Sequence, residues 1–225
     1  MLKGNRVSLR AVERDDLPRI RDIERDQVEL MLEASGSWRP QHLGQYEKDW
    51  ESWTNDKSIY WFVIEADGKI IGTADLHNMD RRDGTAEMGI GIFVPEYLGK
   101  GYGRDAIRLL IDFAFRIQNL RRLWLETYSV NVRAQRSYAA CGFVEEGRLR
   151  QHAHVNGQYV DMVVMGLLRS EWEAARATSA ITAIVPDPLD AIVGMIEDAP
   201  ADLSMTVRET LADHYQAKAD HERPA

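Results

Sequence analysis

The sequence predicts an α+β fold: a mixed, mostly antiparallel central sheet flanked by helices, with a C-terminal helical extension. Three observations predict it. Asp67-Gly68 and Asp83-Gly84 each separate strand-like runs and mark tight antiparallel reversals. Residues 98–104 place three alternating glycines between a strand-like and a helix-like run. Asn156-Gly157 marks a last hairpin near the end of the domain.

Taken in order, 6–11 alternates polar and apolar residues as a strand does. Asp15 or Asp16 caps a helix to about residue 25, with Pro18 in its first turn and Leu17, Ile20 and Ile23 at helical spacing. Residues 26–40 have no clear period, because Ser35-Gly36-Ser37 and Arg39-Pro40 break any regular element. A helix over 41–55 carries Leu43, Tyr46, Trp50 and Trp53. Strands follow at 59–65, 69–76 and 85–94, rich in β-branched and aromatic residues. A helix over 106–117 presents Ile107, Leu110, Ile111, Ala114 and Ile117 on one face. A strand at 122–128, a short helix at 132–141 closed by Gly142, and strands at 143–155 and 158–168 complete the domain near Trp172.

Composition narrows the function. The 225 residues carry a net charge of −8, which argues against nonspecific nucleic-acid binding because that needs a basic footprint. No apolar run reaches the ~18 residues of a membrane span, and the first residues lack the apolar core of a signal peptide. Cys141 is the single cysteine, so no intrachain disulfide forms and a cytoplasmic setting is expected.

The glycine turn is the strongest chemical signal. Backbone N–H groups at a helix N-terminus lack internal partners and stand at the positive end of the helix dipole, a place suited to phosphate. A P-loop is excluded, since Lys100 is followed by Gly101 rather than Ser or Thr. Residues 101–106 do match Gly-x-Gly-x-x-Ala, with Glu126 about twenty residues on, as a dinucleotide fingerprint requires. Against that reading, the strands upstream are joined by antiparallel hairpins, and five residues separate the strand from the glycines.

Leu98-Gly99-Lys100-Gly101-Tyr102-Gly103 resembles the coenzyme-A pyrophosphate loop, Gln/Arg-x-x-Gly-x-Gly/Ala, of the GCN5-related N-acetyltransferases (GNAT). Leu98 departs from the usual Gln or Arg. Asn131 to Phe143 looks like the family's second signature, Asn-x-x-Ala-x-x-x-Tyr-x-x-x-Gly-Phe, and the 156–159 hairpin resembles the ribosomal-protein and polyamine branch. The resemblance covers about residues 6–172 and implies direct transfer of the acetyl group of acetyl-CoA to a primary amine. The acceptor is a protein N-terminus, a polyamine or another small amine. It implies cofactor contacts at Ile92, Phe93, Val94, Leu98, Gly99, Lys100, Gly101, Tyr102, Gly103, Arg104 and Asn131. The main chain at 92–94 would offer unpaired N–H groups to the thioester, and Asn131 reads equally as a helix cap. Tyr138 matches the family acid that protonates the leaving thiolate, and reads otherwise as a core tyrosine.

Glu87, between apolar Ala86 and Met88, is the first choice of general base, with Glu126 its rival. Each also reads as a strand carboxylate paired with one of Arg81, Arg82, Arg121 and Arg122. Partial burial would raise the pKa of Glu87 toward a useful value. The resemblance implies that Trp38, Arg39, Tyr46, Trp50, Trp53, Asp75, His77 and Asn78 lie in regions that flank the acceptor side, the tryptophans reading first as core. His152 and His154 lack a third ligand for a metal, so none is expected. The domain is expected over 1–175, and 176–225 as a helical extension or arm, with a helix at 203–219 and the prospect of a homodimer. A CoA-binding regulatory or scaffold protein without turnover is the alternative function, raised by Leu98 and by the C-terminal segment.

Overall fold

The computed structural model describes residues 1–35 and 38–184. These residues build an eight-stranded sheet. It begins with β1 (Leu2–Lys3) and β2 (Ser8–Ala11), joined by a turn closed by the Gly4 N–H donating to the Val7 carbonyl at 2.8 Å. A short 3-10 turn at Arg14–Asp16 leads into α1 (Leu17–Arg25), then α2 (Val28–Ser35) and α3 (Leu43–Asn55). Helix α2 lies where the sequence shows no clear period, since its eight residues carry only a weak apolar stripe.

Strands β3 (Tyr60–Ala66), β4 (Lys69–Asp80) and β5 (Thr85–Ile92) form the predicted meander. Asp67 and Gly68 both take positive φ, 52° and 72°, the twist a two-residue hairpin needs. Strand β4 runs four residues past the expected end. Its pairing with β5 shifts between His77 and Asp80, with Asn78 at φ 48°, so the polar residues that hid the strand's continuation sit at a bulge.

Helix α4 (Tyr102–Asp112) begins four residues earlier than expected and continues as a π-helical turn, Phe113–Ile117. After it come β6 (Arg122–Tyr128), α5 (Val132–Ala139), β7 (Val144–Val155), β8 (Gln158–Leu168) and α6 (Arg169–Ile184). The strand order is β1-β2-β3-β4-β5-β6-β8-β7. Every pairing is antiparallel except β5 with β6.

Two apolar cores flank the sheet. On one face α4 buries Ile107, Leu110 and Ile111 against Phe62, Ile64, Leu76, Ala86 and Leu123, each large side chain contributing about 1.5–3 kcal/mol. On the other, Leu17, Ile20 and Ile23 of α1 pack with Tyr46 of α3 on Val63 and Ile70. The parallel pairing is brief: Thr85, Ala86 and Glu87 face Arg122, Leu123 and Trp124, and then the two strands part. That divergence makes the site.

The chain divides into two units, Met1–Ala174 and Ala175–Ala225. The helix expected at 203–219, and most of the segment expected as an arm, lie outside the described residues.

Candidate active site

Val94 ends the strand, and Pro95–Tyr97 turns the chain toward the glycines. Gly99 and Gly101 take φ of 70° and 88°, a region costly for other residues. The first helical bond runs from the Asp105 N–H to the Gly101 carbonyl at 3.1 Å. The N–H groups of Tyr102, Gly103 and Arg104 therefore stand ahead of the ladder, at the positive end of α4. Gly103 is helical, and a Cβ there would meet only Ile92 Cδ1 at 3.6 Å. Packing does not demand glycine at 103; close approach of a ligand to the backbone would.

The divergence of β5 and β6 opens a cavity of about 550 Å³. Leu98, Gly99, Gly101, Gly103 and Arg104 line one end; Asn131 and Tyr138 of α5 line another wall, with Leu30 of α2 across from them. Ile90, Ile92 and Phe93 form the β5 wall. The expected backbone contacts need correction here. The Phe93 N–H donates to the Ile71 carbonyl at 3.0 Å, so it is not available to a ligand. Strand groups alternate sides, so the N–H and C=O of Ile92 and Ile90 point away from β4, toward the space β6 has left. Ile90, one alternation upstream, therefore presents the same unpaired backbone as Ile92. Val94, Lys100 and Tyr102 do not line the cavity: Val94 packs against both cores, Lys100 is exposed, and Tyr102 packs edge-on against Tyr97 at 5.0 Å.

Asn131 does two things at once. Its side chain accepts the Ala134 N–H at 3.1 Å as the cap of α5, and it lines the cavity. Tyr138 is likewise both core and cavity wall. Its ring packs edge-on against Phe143 at 6.0 Å, and it is 7% exposed. Burial, aided by the negative charge of Asp75, pushes its phenol up to about 12, so it stays protonated at neutral pH.

Glu87 sits on the sheet face opposite buried Ala86 and Met88, as alternation requires. Its surroundings are polar. Oε2 accepts from the Asn78 side-chain amide at 2.8 Å and lies 3.3 Å from Nε2 of His77. Nδ1 of His77 lies 2.6 Å from Oδ1 of Asp75, and Asp75 raises the imidazole above its ordinary value against the opposing effect of burial. Gly89 makes room for this group, since a Cβ there would stand 2.5 Å from Oδ2 of Asp75. Three of the four arginines go elsewhere: Arg122 to Glu146, Arg121 to the Asp83 carbonyl and Arg81 to the Tyr60 hydroxyl.

Glu126 lies on the same face as Glu87, two residues beyond Trp124, and is exposed. Neither carboxylate lines the cavity. The signal that could have found the cluster was present: Asp75 and His77, two apart on a strand, share a face, and the hairpin places Glu87 opposite His77.

The aromatic residues divide. Trp50 donates to the Val12 carbonyl at 3.2 Å and packs in the second core, while Trp53 meets Trp61 edge-on at 5.0 Å. Tyr46, Trp38 and Arg39 line a separate cavity of about 380 Å³ with Glu24. His154 packs against Tyr159 at 5.2 Å, and among the described residues no three His, Cys, Asp or Glu side chains converge to hold a metal. Burial pushes the Cys141 thiol up, and its Sγ lies 3.7 Å from the Arg104 carbonyl oxygen, so it packs rather than reacts.

Free N–H groups at the α4 N-terminus, a glycine that the fold itself does not require, and unpaired backbone along β5 fit a pyrophosphate joined to an extended amide-bearing arm, as in coenzyme A. The family comparisons agree. Residues 6–144 match the model of the acetyltransferase (GNAT) domain. A spermidine N(1)-acetyltransferase of Vibrio cholerae is 31% identical over 170 residues, 75% of this chain and 96% of that one. A putative ribosomal N-acetyltransferase of Bacillus subtilis, YdaF, is 30% identical over 76% of this chain and 95% of its own. The crystal structure of the Vibrio cholerae spermidine enzyme with CoA and spermine superposes with a TM-score of 0.68, at 31% identity over 75% of this chain and 99% of that one. No helix among the described residues is long and apolar enough to cross a membrane. The chain belongs to the GNAT family and is an N-acetyltransferase that uses acetyl-CoA as its cosubstrate.

Proposed function

We propose that this enzyme acetylates a primary amine of a small polycationic acceptor of the polyamine kind, across the edge where β5 and β6 part. One observation carries the proposal: Asp75, Glu87 and Glu126 share one sheet face, and Glu87 stands on the strand whose Ile90 and Ile92 line the cavity together with Tyr138. Three carboxylates attract a substrate with several ammonium groups, and a peptide N-terminus offers only one. The polyamine names of the relatives point the same way.

Bound acetyl-CoA supplies the activated acetyl group and a thiolate leaving group. The α4 N-terminus and the glycines hold its pyrophosphate through main-chain N–H groups, with Arg104 adding charge. Leu98 contributes only an apolar wall. The Ile90 and Ile92 backbones bind the arm and donate toward the thioester carbonyl. Glu87 takes a proton from the acceptor ammonium, which frees the amine to attack, and Tyr138 protonates the departing sulfur. Glu126, fully on the solvent side, steers the acceptor.

The spermidine relative also occurs in a dodecameric form. Val144, Leu149 and Tyr159 leave apolar surface exposed on the β7–β8 hairpin, which offers a face for self-association of this chain. The test of the acceptor is thiol release from acetyl-CoA with spermidine, spermine, putrescine and a panel of N-terminal peptides. Preference for the polyamines supports the reading. Preference for peptides overturns the acceptor class, and binding without turnover across the panel favours the CoA-binding scaffold.

A further inference from the structure

Neutral imidazole has one N–H, yet His77 presents its two nitrogens to two carboxylates, Asp75 at 2.6 Å and Glu87 at 3.3 Å. The shorter contact holds the hydrogen at Nδ1 in the neutral ring, where it donates to Asp75. The Nε2 lone pair then faces Oε2 of Glu87, electron pair against electron pair. The second Oε2 neighbour, Asn78, is a donor that never titrates. A single added proton in the Nε2–Oε2 gap turns a repulsive contact into a charge-assisted hydrogen bond.

We propose that His77 is a positioning residue which stores, by way of Glu87, the proton given up by the acceptor amine, with Asp75 holding the resulting imidazolium. The inference rests on Glu87 as the general base. The balance is simple. An N–H bond of the ammonium breaks and its electron pair stays on nitrogen as the nucleophilic lone pair. The proton goes to the Glu87 carboxylate and passes from Oε2 to Nε2. Glu87 is an anion again, and His77 carries one positive charge between two negative ones. As the C–N bond forms and the C–S bond breaks, the nitrogen gives up a second proton, which replaces the one Tyr138 gives to sulfur. After product leaves, the imidazolium returns its proton to water. No oxidant, reductant or further co-reactant is involved.

The groups that bear on the ring come from two strands, Asp75 on β4 and Glu87 on β5. On the same face β6 adds Glu126 and β3 adds uncharged Trp61 opposite Asp75; Tyr138 of α5 packs in the core on the α4 side, and its phenol responds to Asp75. Helix α2, which touches β6, carries Glu29 in its first turn. All the ionised groups in this set are anionic, so each favours the imidazolium.

The sign follows. The store works only when it is empty, with His77 neutral. Turnover therefore rises with pH through the raised value of His77, above the ordinary imidazole value. Asp75→Asn removes the strongest raising influence and leaves burial opposed only by the weaker effect of Glu87. The acidic limb of the kcat profile should then move down by about one pH unit. His77→Gln keeps a donor for Asp75 but cannot titrate, so the imidazole limb should vanish and kcat at neutral pH fall about tenfold.

The experiment measures kcat against pH with saturating spermidine and acetyl-CoA in the full chain, with acetyl-CoA affinity by calorimetry as the check that each variant folds. Glu87→Gln is run beside it. Full kcat in Glu87→Gln overturns the base assignment and this proposal with it. Loss of kcat in Glu87→Gln, with the acidic limb unmoved in both Asp75→Asn and His77→Gln, overturns the relay alone. Should either variant lose acetyl-CoA binding, NMR titration of the His77 ring in the wild-type enzyme decides. A value above that of free histidine supports the proposal, and an ordinary or lowered value overturns it.

Discussion

The backbone N–H of Arg6 donates to Oδ2 of Asp105 at 2.6 Å, across 99 positions of sequence. The same oxygen accepts from the Val7 N–H at 3.0 Å. Asp105 lies in the first turn of α4 and is 9% exposed, so one buried carboxylate ties the N-terminal turn to the helix whose N–H groups are proposed to cradle the phosphates. The tie also sets the Arg6 guanidinium over the Tyr102 ring, 5.6 Å from its centroid and beside Gly101. Asp105→Ala leaves one buried donor, the Val7 N–H, and one partly buried donor, the Arg6 N–H, unmet. It should cost about 3 kcal/mol of stability in urea unfolding and weaken acetyl-CoA binding in parallel; unchanged stability would contradict the tie.

Gly101 and Gly103 should respond differently. Gly101 sits at φ 88°, so Gly101→Val strains the turn as well as the cradle. Gly103 is helical with room for a Cβ, so Gly103→Ala should keep or raise thermal stability, by up to about 1 kcal/mol from helix propensity, while acetyl-CoA affinity falls about tenfold or more. Leu98→Ala should change affinity only about twofold, since its contribution is one apolar contact. Calorimetric Kd values beside melting curves separate these outcomes.

Glu24 is held above the usual carboxylate range by burial, which outweighs the hydrogen bond it accepts from the Tyr46 hydroxyl at 2.7 Å. A carboxyl whose value is raised on folding stabilises the fold when protonated and loses that contribution as pH rises through the folded value. Ionised Glu24 is thus a cost at neutral pH. Glu24→Gln keeps an acceptor for Tyr46 and should raise the melting temperature at pH 7, with the gain shrinking toward pH 4. A gain independent of pH would contradict the account.

Local chemistry made most of the fold legible. The Asp67-Gly68 turn, the amphipathic face of α4 and the Asn131 cap each declare themselves within a few residues. What stayed hidden depends on partners distant in sequence. Helix α2 takes its place from α1 and β6 rather than from its own period. The start of α4 at Tyr102 was obscured because its cap, Gly101, works through left-handed backbone and offers no side chain to recognise. At the site, the sequence motifs point to the glycines and to Tyr138, and these residues line one cavity. Apolar neighbours of Glu87 predicted an apolar setting, but they face the opposite side of the sheet, and the hairpin brings Asn78 and His77 to it instead. Which backbone groups of β5 are unpaired depends on the register with β4, and that register assigns Phe93 to Ile71.

The central claim is that acetyl transfer takes place where β5 and β6 part, with Tyr138 as the acid. Tyr138→Phe removes one hydroxyl from a ring that stays packed on Phe143. The most direct test compares kcat with spermidine against the calorimetric Kd for acetyl-CoA in this variant. The account predicts kcat lowered about a hundredfold or more with Kd within about twofold; equal losses in both, or full turnover, would contradict it.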